Sequence, residues 1–184
     1  MGDKGIYPLP AFEETLQEAS DQFDERLDLD VATLLAKPLR RIAVAESVTG
    51  GLLSDRLTRV PGSSTYFVGG IVCYSPMVKL QYCGVTAAVL SQFGAVSPQV
   101  ASQMAAGVQK NLKTDIGLSV TGYAGPDRHN AQNTGTVFIG VRISDQQRVH
   151  PFKFQGTRSE IKSQAAQAAM VQLKQWLEML ARQH

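Results

Sequence analysis

Four polar residues of this chain, Ser47, Lys79, Thr121 and Arg158, fall beside predicted strand ends or helix starts, the places where α/β proteins assemble small-molecule sites. A hydroxyl, an amine and a guanidinium in such positions suit attack on an amide. Ser47 lies in Ala45-Glu-Ser-Val-Thr-Gly-Gly51, at the end of an apolar strand and just before a glycine-rich helix start. Free N–H groups at a helix start favour an anion or a developing oxyanion, which places this serine as a nucleophile. Ser47 and Thr49 would equally serve as an ordinary helix cap.

Lys79 follows Ser75-Pro76, a serine cap with proline at the first helical position. A helical side chain leans back toward its N-terminus, so the amine falls near the positive end of the helix dipole. That position and partial burial both disfavour the ammonium, and a partly neutral lysine is a base. The alternative is a lysine on an exposed helix face. Thr121-Gly-Tyr-Ala-Gly-Pro126 leaves another strand and turns on glycines, Gly122 among them, which suits either a pocket wall or a plain turn. Thr157-Arg-Ser-Glu160 is a capping box that puts Arg158 in the first turn of the last helix. There its guanidinium and the helix N–H groups would grip a phosphate, or it would face solvent.

The elements that must carry these residues follow from the patterning. A short helix is expected from Leu27 to about Pro38, and Arg41 to Ala45 reads as a buried strand. A helix carrying Leu52, Leu53, Leu57 and Val60 stops at Pro61-Gly62, and Tyr66 to Tyr74 is a second strand. The Ser97-Pro98 helix buries Val100, Met104, Val108 and Leu112. Strands are expected at Ile116 to Thr121, Thr136 to Ile143 and about Val149 to Phe154. The last helix presents Ile161, Ala165, Ala169, Leu173, Trp176, Leu177 and Leu180 as one stripe. This alternation predicts an α/β fold, a three-layer α/β/α sandwich with a mixed, largely parallel sheet. Residues 1–27 are read as a polar, acidic extension and 28–184 as the folded domain.

The 184 residues suit one domain with a full core. Net charge is +2, and the 18 basic residues are dispersed among 16 acidic ones, which argues against nucleic acid as a partner. Cys73 and Cys83 are too few for a disulfide framework and lack metal-ligand spacing, so a reducing, cytoplasmic setting and a metal-free site are expected. No apolar run approaches the ~20 residues of a membrane span.

Taken in order with Val60-Pro-Gly-Ser-Ser64, Tyr74-Ser75, Gly94-Ala-Val-Ser97 and Gly135-Thr-Val137, these motifs resemble the CinA C-terminal-domain family over about residues 28 to 181. Stand-alone members convert nicotinamide mononucleotide to nicotinic acid mononucleotide and ammonia in pyridine nucleotide recycling. The resemblance therefore implies a metal- and cofactor-independent amidohydrolase acting on a nucleotide, and a homodimer. It implies Ser47 as nucleophile and Lys79 as general base, with Tyr74 and Thr121 lining or assisting the site. Thr49, Gly50, Gly51, Gly122 and Arg158 would then bind substrate. Two positions depart from the family pattern. Val48 stands where a small polar or thiol residue is usual, and the loop Asp127-Arg-His-Asn-Ala-Gln-Asn133-Thr134 is shorter and lacks the usual paired glycines. That loop supports a second reading, a nucleotide- or protein-binding module without turnover.

Overall fold

In the computed structural model of the chain, residues 24–126 and 133–182 are described. The elements run α1 (Glu25–Ala36), β1 (Ile42–Glu46), α2 (Leu52–Arg59), a 3₁₀ turn (Ser63–Thr65), β2 (Phe67–Val72), α3 (Pro76–Tyr82), α4 (Ala87–Phe93), α5 (Pro98–Leu112), β3 (Ile116–Gly122), β4 (Thr136–Ile143), β5 (Gln146–Lys153) and α6 (Arg158–Ala181). α1 starts at Glu25 rather than Leu27 because the Asp24 side chain accepts the Leu27 N–H as a cap. Apart from its last residues, the proposed polar extension lies outside the described residues. α4 was not anticipated; Thr86 caps it by accepting the Val89 N–H at 3.3 Å.

The sheet order is β2-β1-β3-β4-β5. β1 pairs in parallel with β2 and β3, whereas the β3–β4 and β4–β5 pairs are antiparallel. The sheet is mixed as expected, but the balance is even rather than largely parallel. The short Ser144–Asp145 connection between β4 and β5 permits only a hairpin, and a parallel crossover would need a dozen or more residues.

Alternate residues of β1 face opposite layers. Ile42 and Val44 join Ile116, Leu118 and Val120 against α1, α2 and α6, while Ala43 and Ala45 face α5. The α5 side is built from small residues for a physical reason. A Cβ at Gly117 would come within 2.0 Å of the Ala105 carbonyl oxygen, and one at Gly140 within 2.6 Å of the Ala101 oxygen. Ser119, between them on β3, donates its hydroxyl to the Ala101 oxygen at 2.6 Å. α5 thus lies directly on the backbone of β3 and β4. On the other face a buried ion pair ties three helices together: Arg56 of α2 donates to Asp28 of α1 at 2.5 and 2.9 Å and to Gln167 of α6 at 2.5 Å.

Candidate active site

β1 connects to β2 through α2 on one face of the sheet. β2 then reaches β3 through α3, α4 and α5 on the other face, crossing β1. The two connections leave the carboxyl ends of β1 and β2 on opposite faces of the sheet, which opens a crevice at this end of the sheet, beside the point where β3 runs out toward β4. A cavity of about 220 Å³ occupies it, lined by Ser47 and Val48 after β1, Gly122 to Pro126 after β3, Ala95 and Val96 before α5, and Tyr74, Lys79 and Arg158.

Ser47 and Lys79, 32 residues apart in the chain, meet at the floor. The Lys79 Nζ lies 2.6 Å from the Ser47 Oγ and donates to the Cys73 carbonyl oxygen at 2.7 Å. Lys79 is 1% exposed and Ser47 8%. Burial holds the Lys79 amine below the ordinary lysine pKa of 10.5, because the ammonium loses its hydration there, while the nearby Cys73 and Cys83 thiols act weakly in the opposite sense. The Cys73 thiol donates to the Glu46 carbonyl oxygen at 3.4 Å, and the neighbouring Cys73 together with burial pushes the Cys83 thiol far above its ordinary value. A neutral amine has one lone pair and two N–H groups. The Cys73 carbonyl takes one N–H and so aims the lone pair at the serine O–H. An amine held in this way can accept the proton of a hydroxyl that attacks a carbonyl. The exposed-lysine reading of Lys79 is excluded by its burial, and Ser47 does not cap α2.

The cap of α2 is instead Glu46, a fully buried carboxylate that reading the sequence for chemistry passed over. It accepts five hydrogen bonds: from the Thr49 hydroxyl at 2.7 Å, the N–H groups of Gly51 at 2.9 Å, Leu53 at 3.0 Å and Ser54 at 2.8 Å, and the Ser54 hydroxyl at 2.6 Å. The acid thereby satisfies the orphan donors of the helix start and interacts with its dipole. Two expectations change as a result. The Thr49 hydroxyl is buried and committed to Glu46, and the Gly51 N–H is committed too, so neither of these two groups is placed to bind substrate. The N–H groups of Val48, Thr49 and Gly50 take part in no hydrogen bond among the described residues, and Val48 lines the cavity, so this turn can offer a donor to an oxyanion. Gly50 (φ 62°) and Gly51 (φ 106°) turn the chain through the left-handed region here, a conformation that glycine adopts at little cost.

At the rim, Arg158 donates to the Gly125 carbonyl oxygen at 2.8 Å and to the Tyr74 hydroxyl. The capping box read from the sequence is present, with the Thr157 side chain accepting from Glu160 and the Glu160 carboxylate accepting from Thr157. Gly122 lines the cavity where β3 ends. Thr121 does not. Its hydroxyl is buried and donates to the Ala95 carbonyl oxygen at 2.9 Å, so it fixes the segment before α5 and has no place among the reacting groups.

The fold thus brings Ser47, Lys79, Tyr74, Gly122 and Arg158 to one cavity, which Gly50 does not line, and assigns the Thr49 hydroxyl, Gly51 and Thr121 to the supporting framework. Arg128 and His129, in the altered loop, lie outside the described residues. Among the described residues no cluster of three His, Cys, Asp or Glu side chains could hold a metal ion, and no helix is long and apolar enough to cross a membrane.

Residues 24–177 match the family model described as the CinA C-terminal domain. A CinA-like protein of Geotalea daltonii is 41% identical over 159 residues, covering 86% of this chain and 38% of that protein. The chain accordingly spans about a third of the length of the curated relatives it matches, between 30% and 38%. Among solved structures, a competence-damaged protein (CinA) superfamily protein from Klebsiella pneumoniae superposes with a TM-score of 0.82 at 28% identity, over 86% of this chain and 99% of that one. The competence/damage inducible protein CihA from Agrobacterium tumefaciens gives 0.74 at 31% identity, over 86% and 93%.

Proposed function

The chain belongs to the CinA C-terminal domain family, and from that premise we propose that it is a metal- and cofactor-independent amidohydrolase that releases ammonia from the carboxamide of nicotinamide mononucleotide. The observation that carries this reading is the buried 2.6 Å contact between the Lys79 Nζ and the Ser47 Oγ.

Lys79 takes the Ser47 proton as the Oγ attacks the carboxamide carbon, and the negative charge moves to the carbonyl oxygen. The free N–H groups of the Val48–Gly50 turn are the donors for that oxyanion, in a site where low exposure strengthens each contact. As the tetrahedral intermediate collapses, the Lys79 ammonium returns its proton to the departing NH₂ group, which leaves as ammonia. Lys79 then deprotonates a water that attacks the acyl-serine, and the carboxylic acid and the free hydroxyl are restored. Arg158 at the rim is the seat for the substrate phosphate, since a guanidinium fork pairs with two phosphate oxygens at once.

The test is ammonia release from nicotinamide mononucleotide by the parent chain and by Ser47→Ala. The parent turns over and the variant loses activity by roughly a thousandfold or more, with unchanged thermal unfolding. Equal turnover removes Ser47 from the mechanism. Activity persists under exhaustive chelation; a loss restored by added metal overturns the metal-free reading. An inactive parent that still binds the nucleotide is the result expected of a binding module.

A further inference from the structure

Resting on the deamidase reading, we propose that Lys162 is a second substrate-binding cation, and that with Arg158 it selects a doubly charged phosphomonoester over singly charged analogues. Lys162 follows Arg158 by four residues on α6, so the two side chains share one face, about 5–6 Å apart at Cβ. The Lys162 Nζ sits against the turn that carries the nucleophile: a Cβ built at Gly50 would lie 3.5 Å from it. That distance is ordinary van der Waals contact, so it measures how near the amine lies to the turn, while the φ of 62° is what favours glycine at this position.

Lys162 is half-buried, yet no hydrogen bond or ion pair takes its amine among the described residues. The neighbouring acids are already committed. Glu46 accepts its five hydrogen bonds from the α2 start, and Glu160 is held in the capping box of α6. The other cations of the site are engaged as well, Lys79 with Ser47 and Cys73, and Arg158 with Gly125 and Tyr74. Among the described residues, Lys162 is therefore a cation beside this turn whose three donors meet no acceptor. A phosphomonoester carries a charge of about −1.5 to −2 at neutral pH, and one guanidinium fork neutralises only part of it. An ammonium one helical turn away supplies the remaining positive charge to the third oxygen.

The experiment compares two substrates, nicotinamide mononucleotide and its methyl phosphodiester, which carries one charge. Lys162→Gln raises KM for the monoester by about tenfold and for the diester by about twofold or less, with kcat within about twofold for both. Lys162→Arg restores most of the difference, and Lys110→Gln, which removes the same charge from an exposed site on α5, changes neither. Inorganic phosphate supplies a readout that needs no turnover. It shifts the Gly50 amide resonance in the parent and not in Lys162→Gln. Should the parent release no ammonia while phosphate still shifts Gly50 only when Lys162 is present, the anion seat stands and the deamidase reading falls. Equal phosphate shifts in the parent and Lys162→Gln, or an unmoved KM for the monoester, overturn the proposal.

Discussion

At the floor of the cavity Lys79 is 1% exposed and Ser47 8%, whereas Tyr74 at the rim is 60% exposed. The polar side chains of the floor are held by other protein atoms, Ser47 by Lys79 and Lys79 by the Cys73 carbonyl, and Glu46 fixes the adjoining turn through the Thr49 hydroxyl and the Gly51 N–H. The rim contacts of Arg158, to a carbonyl and a phenol, lie where water or a ligand can replace them. Electrostatic interactions grow as water is excluded, so a group in the floor acts strongly on charge that develops during reaction. A group at the rim meets substrate and transition state alike, and its loss appears in KM. Substitutions graded from floor to rim to framework test that division.

The largest effect is expected at Lys79. Lys79→Met lowers kcat by roughly a hundred- to ten-thousandfold, the usual contribution of a positioned base. Because burial depresses the Lys79 pKa, the rate of the parent rises with pH through a value below 10.5, and this limb vanishes in the variant. Stability follows the same titration. Between the lowered folded value and 10.5 the unfolded chain binds more protons at this residue than the folded one, so the stability of the parent rises with pH across that window. Denaturant melts of Lys79→Met at a series of pH values lack that slope. A rate limb at the ordinary lysine value would mean that the floor is wetter than its burial implies.

Glu46→Gln attacks the floor through its support. An amide keeps one acceptor oxygen but sets an NH₂ group against either the Thr49, Gly51 and Leu53 donors or the Ser54 pair. We expect a loss of about 1–3 kcal/mol in stability and a fall in kcat of about tenfold or more, with KM little changed. Denaturation melts and steady-state kinetics at a temperature where the variant is folded separate the two effects. A rise in KM alone would place Glu46 on the binding side.

The contrast between Glu46 and Lys79 also marks what can be read from the residues alone. Lys79 was legible because Ser75-Pro76 announces a helix start, and the leaning of helical side chains then aims the amine. Glu46 was hidden at the end of an apolar strand, just past Ala45, although an acid four residues before Gly50-Gly51 can act as a carboxylate on a helix start. Thr121 showed the opposite failure. Its position after β3 suggested chemistry, but the pleat alone decides which way a strand residue faces, and the register against β4 is a long-range property. The evenly mixed sheet was likewise out of reach because the stretch between Thr121 and Thr136 is long enough for either a crossover or an antiparallel return, so the direction of β4 could not be read from its length. Lys162 was available from the i, i+4 spacing to Arg158, but nothing in the spacing said that the nucleophile turn lies beside it.

Arg158→Ala tests the rim directly. It removes the contacts to Gly125 and Tyr74 along with the proposed phosphate seat, and KM for the mononucleotide rises about tenfold or more, taking ~1.5–3 kcal/mol for a charge-assisted hydrogen bond, with a smaller change in kcat. The phosphate-free riboside is a poor substrate for the parent and is little affected by the substitution. An equal fall in kcat for both substrates would move Arg158 to the reacting amide and reverse the ligand in the cavity.

The smallest effect is expected at Thr121, which separates a supporting residue from a reacting one. Its hydroxyl donates to the Ala95 carbonyl oxygen at 2.9 Å from a fully buried position, and Ala95 lines the cavity while Thr121 itself does not. Thr121→Val keeps the β-branched shape that suits β3 and replaces the hydroxyl with a methyl group, so packing is nearly preserved. What is lost is one hydrogen bond, and one carbonyl is left unpaired at the start of α5, for about 1–3 kcal/mol of stability. Lys79 and Ser47 reach each other without Thr121, and the Val48–Gly50 donors are untouched, so kcat should fall by about threefold or less, with the shape of its pH profile unchanged. The measurement is a pH–rate profile of Thr121→Val beside that of the parent, together with a thermal melt. A drop of a hundredfold or a displaced limb would show that the hydroxyl takes part in moving the proton and would return Thr121 to the floor of the site.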